Sequence, residues 1–461
     1  MQNWTPDLSR EDGPKYLAIA AALTRDIHGG ALRPGDRLPP QRTLAERLSV
    51  DLTTVTKAYN EVRRSGLIEG GGRRGSFVRG AAADEASGDA APPDTGMNLP
   101  PDPLGGTLAD RYRRAVATVL TGPAAAARFH YQPGGGAVAD REAGAAWLRA
   151  IGIEASADTV LLASGGQNAL HAIVGAVLSP GDAVAVARHV YPGFLALARR
   201  YGIPLVTVAG DDEGIDPDAL DAHCRAQAIR ALYVVPTNDN PTAATMGAAR
   251  RAALAEVARR HDLTIIEDDA YGRLPDAPTP PIAALAPERT WHVASLSKLI
   301  SPGLRIAYLR APSVRHAWRL ATDLHETAVM APPLNAAIAS LWLRDGGIDA
   351  LAGEVRAEAV ARMALAREIL SEVPFAAHPQ GYHLWLPLPD GVAAGDVVNA
   401  LRPAGLSVVP AAAFAVDPAD ATAALRVSIG GGLSRERLSR TLQLLDALLD
   451  QGGRRNGTAF V

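Results

Sequence analysis

Ser295-Leu296-Ser297-Lys298, followed by Ser301-Pro302-Gly303-Leu304-Arg305, is the stretch on which the reading of this chain turns. The 461 residues include three lysines, Lys15, Lys57 and Lys298, so an amine nucleophile in the larger, C-terminal part can only be Lys298. An amine that condenses with an aldehyde needs burial or nearby cations to lower its pKa, and a phosphate needs hydroxyl donors and a guanidinium. Ser295, Lys298 and Arg305 form such a set.

About thirty residues upstream, Leu263-Thr264-Ile265-Ile266 runs into Glu267-Asp268-Asp269-Ala270-Tyr271. This spacing predicts acids at the C-terminal end of a buried strand, where open α/β sheets bind ligands. A carboxylate there needs a cationic partner, and a pyridinium nitrogen is one such partner. Earlier, Val235-Pro236 leads to Asn240-Pro241-Thr242, where an Asn at a strand end can donate to a ring oxygen. Earlier still, Ser164-Gly165-Gly166-Gln167-Asn168 sits between a strand and the helical stretch Ala169 to Val177, and bare amides at a helix N-terminus cradle phosphate.

The surroundings have the pattern of a largely parallel sheet wrapped by helices. Apolar runs at Val160 to Ala163, Ala183 to Ala187, Ala231 to Val235, Leu263 to Ile266 and Thr290 to Ala294 alternate with helical stretches. After the helical segment Arg356 to Leu370, strand-like runs at Tyr382 to Leu386, Leu406 to Val409 and Leu425 to Ile429 predict a smaller α+β subdomain. The expected division is a head at 1–79, a linker at 80–96, a large domain at 97–340 and a small one at 341–461. The linker follows from Ala, Gly, Pro, Ser and acids without periodicity.

The head is basic. Its first 80 residues carry about 13 Lys and Arg against about 9 Asp and Glu, within a chain of net charge −3. Tyr16, Ile19, Leu23 and Ile27 recur at helical spacing until Gly29-Gly30, and Gln41 to Leu48 predicts a second helix. In a third helix begun at Asp51, Val55, Tyr59 and Val62 form the inner stripe, while Thr53, Thr54, Thr56 and Lys57 point outward as in a recognition helix. Past Gly66, Leu67-Ile68-Glu69 and Ser76-Phe77-Val78 predict a two-stranded wing whose turn carries Arg73 and Arg74.

Other function classes are set aside by composition. No apolar run approaches the roughly 20 residues that span a bilayer, and the N-terminus lacks the basic and apolar pattern of a secretory signal. The single Cys224 has neither a disulfide partner nor companion metal ligands, which fits a reducing, cytoplasmic setting and no metal site.

In order, the cofactor-type motifs resemble fold-type I pyridoxal-phosphate enzymes of the aminotransferase class, and the head resembles GntR-type winged helix-turn-helix domains. The combination resembles the MocR/GabR group of regulators. The resemblance implies that Lys298 forms the Schiff base with pyridoxal 5'-phosphate (PLP), Asp268 pairs with its pyridine nitrogen, and Asn240 and Tyr271 hold its phenolic oxygen. It assigns the phosphate to Gly166, Gln167, Ser295 and Arg305 and ring stacking to Tyr191. Tyr131 corresponds to a tyrosine that reaches the neighbouring subunit's phosphate, which implies a homodimer, and Arg426 to an arginine that binds a ligand carboxylate. In the head, Arg42 corresponds to a DNA-contacting arginine. Departures are Asp51-Leu52 where relatives carry Ser/Asn-Arg, Thr56 near a frequent arginine position, and Ala243 where a glycine is usual. The expected function is a regulator of double-stranded DNA that answers to an amino-acid or amine effector. A working aminotransferase with a regulatory head is the alternative.

Overall fold

Apolar residues at helical spacing build the N-terminal unit from the inside. The structure, a computed structural model, describes residues 4–8, 14–28, 31–32, 35–64, 67–70, 75–78, 96–102 and 107–457. It divides into two units, Met1–Ala91 and Pro92–Val461.

In the first unit, α1 (Lys15–His28), α2 (Gln41–Leu48) and α3 (Leu52–Arg64) precede the antiparallel pair β1 (Ile68–Gly70) and β2 (Ser76–Val78). Ile19, Leu23, Leu44, Val55, Tyr59, Val62, Ile68 and Val78 close around one core. Each such aliphatic side chain contributes about 1.5–3 kcal/mol on burial. The Asp51 carbonyl accepts from the Thr54 amide at the start of α3, and the Tyr59 hydroxyl donates to the Pro39 carbonyl, tying α3 to the approach to α2. Arg73 and Arg74, Gly29, Gly30 and Gly66, and the linker up to residue 95 lie outside the described residues.

In the second unit, α4 (Thr107–Thr121) and α5 (Val138–Arg149) lead into an alternation of strands and helices. These are β3 (Val160–Ala163), α6 (Gly166–Val177), β4 (Val184–Val186), α7 (Pro192–Tyr201), β5 (Leu205–Thr207), a short hairpin of β6 (Gly210–Asp211) and β7 (Gly214–Ile215), and α8 (Pro217–Ala226). There follow β8 (Ala231–Val234), α9 (Ala248–Arg260), β9 (Thr264–Asp268), α10 (Ile282–Leu285), β10 (Thr290–Ser295) and β11 (Ala307–Arg310). The seven-stranded sheet runs β3-β11-β10-β9-β8-β4-β5. β5, β4, β8, β9 and β10 are mutually parallel, whereas β11 is antiparallel to both β10 and β3. Burial on both faces explains why β3 and β8 are almost continuously apolar.

The chain continues through α11 (Val314–Ala328), α12 (Pro333–Asp345) and α13 (Gly347–Ile369) to β12 (His383–Pro387), α14 (Ala394–Leu401), β13 (Ser407–Pro410), β14 (Ala424–Ser428) and α15 (Arg435–Gly457). The small sheet is antiparallel, ordered β12-β14-β13. Three departures from the sequence reading have local causes. β11 is absent from the sequence reading and owes its place to antiparallel pairing with β3 and β10. α6 begins at Gly166 rather than Ala169. α13 begins at Gly347 rather than Arg356, because buried Ile348, Leu351, Ala352 and Val355 outweigh the breaker signal of Gly353. No described helix is long and apolar enough to cross a membrane.

Candidate functional site

Parallel pairing brings the ends of β8, β9 and β10 side by side, with Val293 of β10 opposite Asp268 of β9. Lys298 follows β10 by three residues. A cavity of about 290 Å³ opens there, lined by Gly166, Gln167, Tyr191, Asn240, Asp268, Tyr271, Ser295, Lys298 and Arg305. These nine residues, drawn from separate motifs between positions 166 and 305, meet in one place. A larger cavity of about 490 Å³ next to it shares Val235 with it but touches neither Lys298 nor Arg305.

One end of the smaller cavity is built for an anion. The amides of Gly166 and Gln167 begin α6, Ser295 closes β10, and the Arg305 guanidinium donates to the Ser164 carbonyl at 2.8 Å. Gly165 has φ +86°, which favours glycine, and a Cβ there would lie 2.4 Å from an Arg305 nitrogen, so a side chain would displace the guanidinium. The Gln167 side-chain amide donates to the Gly193 carbonyl at 3.0 Å, which leaves its backbone N–H as the group at the helix start.

The middle is acidic. Asp268 is buried, and its Oδ2 accepts from the Tyr233 hydroxyl at 3.0 Å. Tyr233 is held by stacking on Phe194, with ring centroids 3.8 Å apart and planes 9° from parallel. Burial pushes Asp268 up to about 6, while the Tyr233 hydrogen bond and the charge of Lys298 pull the other way. A cation against this carboxylate would restore its charge.

At the opposite end, Lys298 Nζ donates to the Asn98 main-chain oxygen at 2.5 Å. Burial brings its pKa down to about 8, with the Arg426 cation adding to the effect and Asp268 opposing it. Arg426 on β14 is buried; it donates to the Gly96 carbonyl at 2.7 Å and to Asn240 Oδ1 at 3.5 Å, and lies 5.6 Å from the Phe414 ring centre. Anion cradle, buried carboxylate and depressed amine fit the phosphate, ring nitrogen and aldehyde of PLP in that order.

Tyr131 is not brought into this cavity; it is 83% exposed. In the head, Arg42, Thr53 and Lys57 are exposed and Thr54 is half-buried. Thr56 is half-buried too, its hydroxyl 2.8 Å from Gln41 Oε1 on α2 and 2.9 Å from the Leu52 carbonyl. The sequence reading missed Tyr233, Asn98, His383 and Ser428. Tyr233 looked like one more apolar residue of a buried strand, and Asn98 stands in no motif, 200 positions from its lysine partner.

The fold and site define a class: an aminotransferase-type PLP fold carried on the same chain as a winged helix-turn-helix. Residues 111–445 match the family model for aminotransferase class I and II, and residues 15–78 that for bacterial regulatory proteins of the gntR family. The chain is 29% identical over 457 residues to the HTH-type transcriptional regulator YdeF of Bacillus subtilis, covering 97% of each. It is 31% identical over 440 residues to the HTH-type transcriptional regulator TauR of Rhodobacter capsulatus, covering 86% of this chain and 88% of TauR. The Pyrococcus horikoshii kynurenine aminotransferase superposes with a TM-score of 0.71 at 23% identity, over 80% of this chain and 94% of that one. The chain belongs to the MocR/GabR-type family of GntR regulators fused to a class I/II aminotransferase domain.

Proposed function

We propose that this protein is a cytoplasmic, homodimeric transcription regulator that binds PLP and changes its hold on double-stranded DNA when an amino-acid or amine effector arrives. The observation that carries this reading is a pair of main-chain contacts on the segment 96–98, whose Met97 lines the cavity. Lys298 and Arg426, the two cations suited to an amine-reactive cofactor and a carboxylate, rest on the carbonyls of Asn98 and Gly96. Both acceptors are neutral carbonyls, and an anionic ligand group is a stronger hydrogen-bond acceptor for a cation than either.

PLP bound here supplies an aldehyde that condenses reversibly with primary amines, that of Lys298 and that of the effector. Gly166, Gln167, Ser295 and Arg305 hold the phosphate, Asp268 meets the ring nitrogen, Asn240 and Tyr271 meet the phenolic oxygen, and Tyr191 covers the ring. Arg426 turns its guanidinium from the Gly96 carbonyl to the effector carboxylate, and Lys298 leaves the Asn98 carbonyl. Tyr131, exposed on its own subunit, reaches toward the cofactor phosphate of the partner subunit. An effector that binds one conformation of residues 97–461 more tightly shifts the balance of conformations and, by linkage, the DNA affinity of residues 1–79. There, Arg42, Thr53, Thr54, Thr56, Lys57, Arg73 and Arg74 meet the duplex, chiefly at phosphates.

The test is spectroscopic. Purified protein with PLP should absorb in the visible, Lys298→Ala should abolish the band, and amino acids that alter it should alter operator binding in a mobility-shift titration. Absence of a band, or its survival in Lys298→Ala, sinks the cofactor reading.

A second reading, transamination, is favoured by the Lys298 pKa of about 8, which suits this amine to move a proton near neutral pH. Rapid keto-acid production from amino-acid mixtures without specific DNA binding would put that role first.

A further inference from the structure

Asn98 is 1% exposed, and its side-chain and carbonyl oxygens and its amide nitrogen are all engaged. Its Nδ2 lies 2.9 Å from the Tyr271 hydroxyl oxygen and 3.1 Å from His383 Nδ1. Its Oδ1 accepts from the Ser428 hydroxyl, and its carbonyl from Lys298. On the far side of the imidazole, His383 Nε2 is 2.9 Å from the Asp239 main-chain oxygen. The adjoining segment packs closely past β14: a Cβ added at Gly430 would lie 1.9 Å from the Leu99 carbonyl oxygen, so glycine permits this approach.

The chemistry of these atoms fixes the protons on Asn98 and His383. The Asp239 carbonyl can only accept, so the His383 proton is on Nε2. Burial drives this imidazole down to about 3, with the charges of Arg426 and Lys298 adding to the effect, so it is neutral and Nδ1 is a bare acceptor. The Asn98 atom facing Nδ1 is therefore the amide nitrogen, as Ser428 donation to Oδ1 also requires. The second hydrogen on that nitrogen meets the Tyr271 oxygen. Tyr271 receives from Asn98, so its own proton has two directions open to it, the oxygen of Tyr382, whose hydroxyl donates to the Lys298 carbonyl, and an acceptor in the cavity.

We infer that Asn98 and His383 are positioning residues that set the direction of the Tyr271 hydroxyl, turning its proton into the cavity as a donor to the phenolic oxygen of bound PLP. This rests on the reading that the cavity holds that cofactor. The other ionisable groups facing the cluster are Tyr382 before β12, whose hydroxyl lies beside that of Tyr271 and donates to the Lys298 carbonyl at 2.7 Å, Arg426 on β14, Lys298 beyond β10, Asp268 on β9, Tyr191 before α7 and His378, also before β12. A donor on the phenolic oxygen competes for the lone pair that holds the proton of the lysine-linked chromophore, so that proton leaves at lower pH when the donor is present.

The test uses full-length, cofactor-loaded protein and the pH titration of its visible band. Asn98→Asp keeps the shape of the side chain but, ionised, only accepts, which draws the Tyr271 proton out of the cavity. Its titration midpoint should rise by roughly one pH unit, in the same direction as Tyr271→Phe. The double variant should titrate like Tyr271→Phe alone. An unmoved midpoint in Asn98→Asp overturns the inference, and so does a shift that adds in full to that of Tyr271→Phe, because that marks a bare charge effect. If Asn98→Asp does not fold, the 15N shifts of His383 in cofactor-free wild-type protein, assigned with His383→Gln, decide the matter. A neutral Nε2–H ring across neutral pH supports the arrangement, and an Nδ1–H or charged ring overturns it. A wild-type protein with no visible band would refute the cofactor reading, while the 15N result still judges the proton arrangement by itself.

Discussion

Lys298 Nζ lies 2.5 Å from the Asn98 main-chain oxygen, a neutral acceptor for a cation that burial has brought down to about 8 from the ordinary 10.5. Between those two values the unfolded chain binds the proton that the native lysine has released. Stability therefore rises with pH through that window and is lowest, by a constant amount, below it. Cofactor-free wild-type protein should gain on the order of 2 kcal/mol relative to Lys298→Met across the window. Urea unfolding of both proteins at its two ends is the measurement, and parallel curves would contradict it.

Tyr233→Phe removes the hydroxyl that donates to Asp268 Oδ2 while keeping the stack on Phe194. Without that donor the Asp268 pKa rises further above about 6, so the carboxylate is less ionised at neutral pH. Affinity for PLP should fall about tenfold at neutral pH and recover in part as pH is raised. Fluorescence titration with PLP across pH reads this.

Gly165→Ala meets two obstacles, the positive φ and the Arg305 guanidinium beside the missing Cβ. The backbone strain is about 1–2 kcal/mol. Arg305 must also leave the Ser164 carbonyl. Thermal unfolding should show the loss of stability, and PLP affinity should drop by about an order of magnitude with the lost phosphate contact. A variant as stable and as tightly loaded as wild type would remove Gly165 and Arg305 from the anion site.

Arg426→Gln should leave the visible band in place but weaken carboxylate-bearing effectors by roughly tenfold or more, with amines that lack a carboxylate little affected. Spectral titration with matched amine and amino-acid pairs separates the two classes. Equal losses for both would move the carboxylate contact elsewhere.

In the head, Thr56→Val cuts the α3-to-α2 bond to Gln41, whereas Lys57→Ala removes an exposed charge. The first should weaken operator binding at every salt concentration alike. The second should lower the slope of log affinity against log salt by about one. Binding isotherms over a salt series distinguish them.

Much of the site was legible because its chemistry sits at strand ends and helix starts. Lys298, Asp268, Asn240 and the Gly165-Gly166 turn each stand next to an apolar run that a parallel sheet buries, so their meeting follows from the sheet alone. The supporting residues were hidden for opposite reasons. Tyr233 satisfied the apolar pattern of β8 and gave no polar signal. Asn98 and His383 are 285 positions apart and belong to no common period. β11 escaped the reading, and its antiparallel place between β3 and β10 is a matter of pairing between distant segments.

By itself the sequence determined two domains, their order, a parallel-type sheet, and a single lysine in the larger part, because composition, periodicity and residue type are local properties of the chain. Only the tertiary structure decided which polar atoms surround Tyr271, which carbonyls Lys298 and Arg426 rest on, and what holds Asp268. Those depend on distances of about 3 Å between residues far apart in the chain, and on burial that no single segment can produce.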